Sequence, residues 1–176
     1  MTPLPTPSSS VSTRFTWSTL PNSRGFELTR NGEILGTLRR PTIWSQNVFA
    51  TTPAGDWIFR PCGFWRTQAE IVDSESRQTL AKFKTKWSRS GTLTFADGQV
   101  FHLARKSAWR PRWMVTNEAG EPVLGLRTRE KSVEIEKGLA ISESRLALLI
   151  LFTLCRVRQA QEDAASAAMV AVIAAS

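Results

Sequence analysis

The chain has 176 residues, 41% of them hydrophobic, which is enough for one domain with a full-sized core. Its 23 Lys/Arg against 15 Asp/Glu give a formal charge of +8. Such a balance favours phosphate-bearing partners, nucleic acid or lipid headgroups, or else keeps copies apart by like charge. Two cysteines, Cys62 and Cys155, and one histidine, His102, exclude a disulfide framework and a zinc site.

Residues 1–12 are rich in Pro, Ser and Thr and have neither the basic nor the apolar region of a signal peptide, so they read as a disordered leader. A cytoplasmic protein, peripheral to membranes at most, is the expectation. From residue 13 on, short runs are separated by turn signals every eight to twelve residues or so, the pattern of an all-β barrel or sandwich. The predicted strands are Arg14–Thr19, Arg24–Arg30, Glu33–Arg39, Gln46–Thr52, Asp56–Arg60 and Arg66–Asp73. They continue with Gln78–Lys86, Gly91–Phe95, Gln99–Arg105, Arg110–Thr116, Glu121–Arg129 and Ser132–Lys137. Asn31-Gly32 and Asp97-Gly98 are strong hairpin signals, and short turns throughout make about twelve mostly antiparallel strands.

The strand region also repeats itself. Gly63-Phe64-Trp65-Arg66 and Ser107-Ala108-Trp109-Arg110 lie 44 residues apart, and at the same offset Ile71 matches Val115, Asp73 matches Asn117 and Leu80 matches Leu124. Trp44-Ser45 matches Trp87-Ser88, and an earlier copy runs through Phe26-Glu27-Leu28 and Ile34-Leu35-Gly36. Each unit is about four strands, and three such units are too few to close a propeller. Alternation sets Ala69 and Ile71 opposite Gln68 and Glu70, Trp113 and Val115 opposite Arg112, and Phe83 and Thr85 opposite Lys82, Lys84 and Lys86.

At Ser142, a fair N-cap, the pattern turns helical. Leu146 to Cys155 is apolar on every face of a helix and must be surrounded, yet its ten residues span only about 15 Å, half of a bilayer core. About twelve strands leave a bore wider than their own side chains fill, and a helix about 10 Å across fits it. The predicted fold is therefore mainly β with one central α-helix: a closed antiparallel barrel of about twelve strands around a C-terminal hydrophobic helix, Ser142 to Arg158. Barrel and helix form one domain, 13–160, followed by an Ala-rich helical tail, 161–176, expected to pack on the barrel end rather than touch a membrane.

This layout, from Arg14 to Val157, resembles the tubby-like barrel superfamily, which includes tubby C-terminal domains, phospholipid scramblases and LURP-one-related proteins. The repeated Trp-Arg units ahead of Leu146-Ala147-Leu148-Leu149-Ile150-Leu151 carry the resemblance, and small bacterial LURP-one-like and scramblase-like members are the most similar. The resemblance implies the barrel around a hydrophobic helix and, by analogy, contact with phosphoinositides or membranes. No family site residue maps onto this chain one by one, and a scramblase-like acidic calcium-binding run is absent.

Enzymatic motifs are missing: no nucleophile elbow, phosphate loop or metal-ligand spacing occurs, and His102 alternates with Phe101 and Leu103 as a structural strand residue does. No cofactor is expected. The excess charge sits between Thr13 and Lys137, with twenty Lys/Arg against twelve Asp/Glu. It gathers in three clusters, Lys82/Lys84/Lys86/Arg89, Arg105/Lys106/Arg110/Arg112 and Arg127/Arg129/Lys131, the candidate ligand- or phosphate-binding residues. The expected role is non-enzymatic binding to anionic phospholipid or membrane surfaces. The alternatives are a nucleic-acid-binding protein stacking bases on Trp65, Trp87 and Trp109, and a protein-interaction scaffold.

Overall fold

A computed structural model describes residues 15–21, 24–42, 44–62, 67–86, 90–106, 112–135 and 141–174, excepting the side chains of 172–174. The predicted leader, the tryptophans Trp65, Trp87 and Trp109, and the site candidates Arg89 and Arg110 lie outside the described residues.

Twelve strands form in chain order: β1 (Phe15–Thr19), β2 (Gly25–Arg30), β3 (Glu33–Arg39), β4 (Val48–Thr52), β5 (Gly55–Cys62), β6 (Gln68–Asp73), β7 (Thr79–Thr85), β8 (Gly91–Phe95), β9 (Val100–Arg105), β10 (Arg112–Asn117), β11 (Pro122–Arg127) and β12 (Ser132–Ile135). All pairs are antiparallel, and β1 against β12 closes the barrel through Phe15↔Val133 and Thr16↔Ser132. Turn chemistry dictates much of this. Asn31 (φ 51°) and Gly32 (φ 92°) occupy left-handed backbone in the β2–β3 hairpin, as a two-residue turn matching strand twist requires.

The sequence repeat has a structural counterpart. Register shifts interrupt β2 between Leu28 and Thr29, β6 between Ile71 and Val72, and β10 between Val115 and Thr116. These positions are spaced 43 and 44 residues apart, the repeat period. A bulge bends its strand and increases its twist, so one bulge per four strands distributes the curvature that closure needs. The barrel is thus three four-strand units, β2–β5, β6–β9 and β10–β12, with β1 completing the last across the seam. Matched Asp73 and Asn117 both accept turn N–H groups, Asp73 Oδ1 from Ser76 (2.6 Å) and Asn117 Oδ1 from Glu121 (2.8 Å).

Inward residues of every strand form one hydrophobic core with α1 (Glu143–Ala174). Ser142 caps it, with Oγ accepting from Arg145 N at 3.4 Å and its carbonyl from Leu146 N at 2.9 Å. Leu149, Ile150, Leu151 and Phe152 are at most 2% exposed, and Phe152 makes edge contacts with Phe59 (5.4 Å) and Phe83 (5.3 Å). Thr153, buried among them, satisfies its hydroxyl on the Leu149 carbonyl at 2.7 Å. The barrel faces inward with apolar side chains and outward with charge, the reverse of barrels that span bilayers.

The tail differs from the expectation. It is not a separate helix packed on the barrel end: α1 runs on to Ala174, and residues 165–171 are exposed, with Met169 68% and Val170 66% accessible. Neither Gly nor Pro interrupts residues 143–174, and Ala, the best helix former, dominates the stretch beyond Asp163. Among the described residues, no helix is long and apolar enough to cross a membrane.

Candidate functional site

Strand direction sorts the charges. One end of the barrel carries the tight hairpin turns and the start of α1; at the other, α1 leaves through the connections that follow β1, β3, β5, β7, β9 and β11. The entry end is acidic. Glu33, Asp56, Asp73, Glu75, Asp97, Glu118, Glu121 and Glu143 stand there against Arg30, Arg77 and Arg145, because its turns use carboxylates to accept backbone N–H groups. Arg30 pairs with Glu143, and Arg145 with Asp97, tying the first turn of α1 to that rim.

The exit end is basic. Arg24, Arg39, Arg40, Lys86, Arg105, Lys106, Arg112, Arg127, Arg129, Lys131, Arg156 and Arg158 belong to its strand ends, connections and helix, against Glu130, Glu162 and Asp163. Residues scattered over 135 positions of sequence therefore share one rim. Lys82 and Lys84 are exposed on the outer face of β7, as alternation predicts, and Lys86 is exposed just past its end. Lys82 stands across from Glu70, which is itself held by Arg60 at 2.8 Å. Arg105, Lys106, Arg129 and Lys131 are exposed.

Two predicted site residues form ion pairs within the chain. Arg112 and Arg127 both bind Glu134, at 2.6 and 2.5 Å. Arg112 reaches Glu134 by lying over Gly125, where an added Cβ would stand 3.1 Å from its Nε and Nη2; that Nε is buried without a partner. Arg24, Arg39, Arg40, Trp44, Arg156 and Arg158 escaped the candidate clusters, since only the topology brings these segments to the rim. A doublet at Arg39-Arg40 and the cations just past the apolar run were the available signals.

Beside the α1 exit lies a cavity of about 520 Å³ whose walls include Arg40, Trp44, Phe83, Trp113, Arg156 and Glu162. Glu162 anchors the helix there, pairing with Arg40 (3.1 Å) and with Arg158 (2.8 Å). Burial pushes the Glu162 carboxyl upward, but hydrogen bonds and charge from Arg158 and Arg40 outweigh it and hold it below its ordinary value. Arg156 stacks 4.8 Å above the Phe83 ring. Burial lowers its pKa, because the low-dielectric surroundings penalise the charged form.

Elsewhere the chemistry is quiet. His102 shares a hydrogen bond with Thr92 Oγ1 through Nδ1 at 3.1 Å. Burial pushes the Cys155 thiol up to about 11, which keeps it protonated, and also raises Cys62. Among the described residues, no group of His, Cys, Asp and Glu could hold a metal.

No protein-family model matches the chain, and no curated protein matches it. Among solved structures, it is similar to the X-ray structure of a protein from Arabidopsis thaliana, with a TM-score of 0.56 and 13% identity. The match covers 81% of this chain and 90% of the plant one. The likeness is one of fold.

Proposed function

We propose that this protein is a non-enzymatic binder of anionic phospholipid surfaces that docks by the end of the barrel where α1 leaves. The observation that carries the reading is the convergence of cations from five strand connections and α1 on that rim while, among the described residues, the opposite rim is acidic. A molecule so polarised turns its basic end toward a negative surface, and each Lys or Arg near the headgroups contributes about 1 kcal/mol. Exposed apolar side chains support it: Trp44 (86% accessible), Phe49, Met169 and Val170 belong to the same end, with Ile34 at the other. Kinship to the tubby-like, LURP-one-related and scramblase-like barrels is part of the proposal. It is supported by the closed twelve-strand antiparallel order, the central C-terminal helix and the plant protein's similar fold.

Nucleic-acid stacking finds less to work with. Among the described tryptophans, Trp17 and Trp113 are buried, Trp57 is half-buried, and Trp44 alone presents an open ring. The test is co-sedimentation with neutral and anionic vesicles at low and high salt, using wild type and a Lys82→Gln/Lys84→Gln/Lys86→Gln variant. The expected result is binding that requires anionic lipid, fades in salt and drops in the variant. Absence of binding to anionic vesicles, or equal binding to neutral ones, overturns the reading.

A further inference from the structure

Of the rim cations, Arg156 is half-buried and lines the cavity at the α1 exit. Arg156 donates from Nη1 to Gln159 Oε1 at 2.6 Å and from Nη2 to Thr85 Oγ1 at 3.1 Å, both neutral acceptors. Among the described residues, no carboxylate forms an ion pair with it: Glu162 is taken by Arg40 and Arg158. Asp163, exposed at the lip, acts on Arg156 through charge only. A guanidinium has five N–H donors arranged for a planar or tetrahedral oxyanion, so two neutral bonds leave it under-used. Drawing a cation out of water without a counter-ion costs free energy that a bound anion restores.

The walls select the rest of the ligand. Trp44, Phe83, Leu103 and Trp113 give the same cavity an apolar side, and about 520 Å³ lies in the range of small-molecule sites. We propose that this cavity binds one amphiphilic anion, its phosphate or carboxylate head on Arg156 and its apolar chain against Trp44, Phe83, Leu103 and Trp113. The site is separate from the surface reading: vesicle docking rests on exposed rim lysines, and uptake of a single amphiphile rests on Arg156. A lipid released from a bilayer and a dissolved fatty acid offer the same chemistry.

Calorimetric titration of the full chain tests this with decyl phosphate, decanoate, decanol and inorganic phosphate, each below its aggregation concentration. Decyl phosphate and decanoate are expected to bind one per protein, and decanol and inorganic phosphate at least tenfold more weakly. Arg156→Gln should lose at least tenfold for both anions, and Asp163→Asn, which removes the repelling charge at the lip, should gain. Lys82→Gln/Lys84→Gln/Lys86→Gln should leave this titration unchanged. Equal affinity of Arg156→Gln and wild type, equal affinity for decanol and decyl phosphate, or uptake of many anions at one affinity overturns the site. Should Arg156→Gln melt early, Trp44→Ala, at an exposed position, must weaken decyl phosphate with melting unchanged or the proposal fails. Titrating inorganic phosphate and decyl phosphate alongside the vesicle assay separates the two readings: one-to-one uptake without vesicle binding sinks the surface role alone.

Discussion

Phe152→Ala is the sharpest probe of the central helix as the organiser of the barrel. Phe152 is 2% exposed and its ring meets the edges or faces of Phe59 and Phe83 on two different strands. Truncating a buried Phe to Ala costs about 3–5 kcal/mol, and each aromatic pair adds about 0.5–1.5 kcal/mol beyond its buried area. Because the surrounding strands are closed into a ring, they collapse little into the hole, which favours the upper part of that range, about 4 kcal/mol. With a guanidinium m-value of about 4 kcal/mol/M, the unfolding midpoint should fall by about 1 M at unchanged m. Far-UV circular dichroism and tryptophan fluorescence, recorded together, measure it. The matched control, Phe49→Ala, removes a side chain 39% accessible on the outer face of β4 and should cost under about 1 kcal/mol. Equal shifts for the two variants, or a Phe152→Ala shift under about 0.2 M, would refute the central-helix argument.

Three further outcomes follow from position. Lys86 lies at the exit rim, and Lys82, four strand residues away, is about 13 Å farther from it, beyond a Debye length of about 8 Å. Lys86→Gln should therefore weaken binding to anionic vesicles severalfold and Lys82→Gln hardly at all, and the opposite order in co-sedimentation contradicts docking by this end. Gly91→Ala would set a Cβ 2.1 Å from Phe83 Cζ and 2.8 Å from the Lys84 carbonyl, so the core ring must move. Overpacking of this kind costs about 1–3 kcal/mol, read as a lowered melting temperature. Acid should destabilise the fold. The Arg145 hydrogen bond holds the Asp97 carboxyl below its ordinary value, the Ser76 backbone N–H does so for Asp73, and Glu162 is also lowered. A depressed carboxyl stabilises the fold above its unfolded pKa, about 4, and loses that contribution as pH falls through the folded value. Melting temperature should hold above about pH 5 and fall below it, with a shallower fall in Asp97→Asn; a melting temperature that rises on acidification contradicts the assignment.

The fold was legible because its rules are local. Strand periodicity placed Phe83 inward and Lys82 and Lys84 outward, Asn31-Gly32 announced its hairpin, and the all-round apolar run announced an enclosed helix. The 44-residue repeat showed as sequence similarity because its bulges and turn acceptors, such as Asp73 and Asn117, serve equivalent positions. The basic rim was legible only in part. Which cations share an end depends on the direction of strands far apart in sequence, so Arg24, Arg40 and Arg156 could not be joined to Lys86 in advance. Nor does composition show which arginines are spent on ion pairs: Arg112 and Arg127 owe their engagement to Glu134, which strand register brings beside them.

The end of α1 joins these two levels. A helix too short to nucleate alone persists when it continues one already folded, and Ala gives the stretch beyond Asp163 the highest propensity available. Its exposure from 165 to 171 means that it contributes little packing to the barrel. Truncation after Ser166 should accordingly leave the melting temperature within about 2 °C, since exposed residues carry little of the stability. Vesicle affinity should respond differently. Met169 and Val170 each gain up to about 1.5–3 kcal/mol on full burial, and partial burial among headgroups would leave about 1–2 kcal/mol in total, close to a tenfold change. Co-sedimentation and thermal melting of the same truncated chain separate the cases. A melting temperature lowered by more than about 5 °C would mean that the tail braces the barrel, and unchanged vesicle binding would mean that the charged rim acts without it.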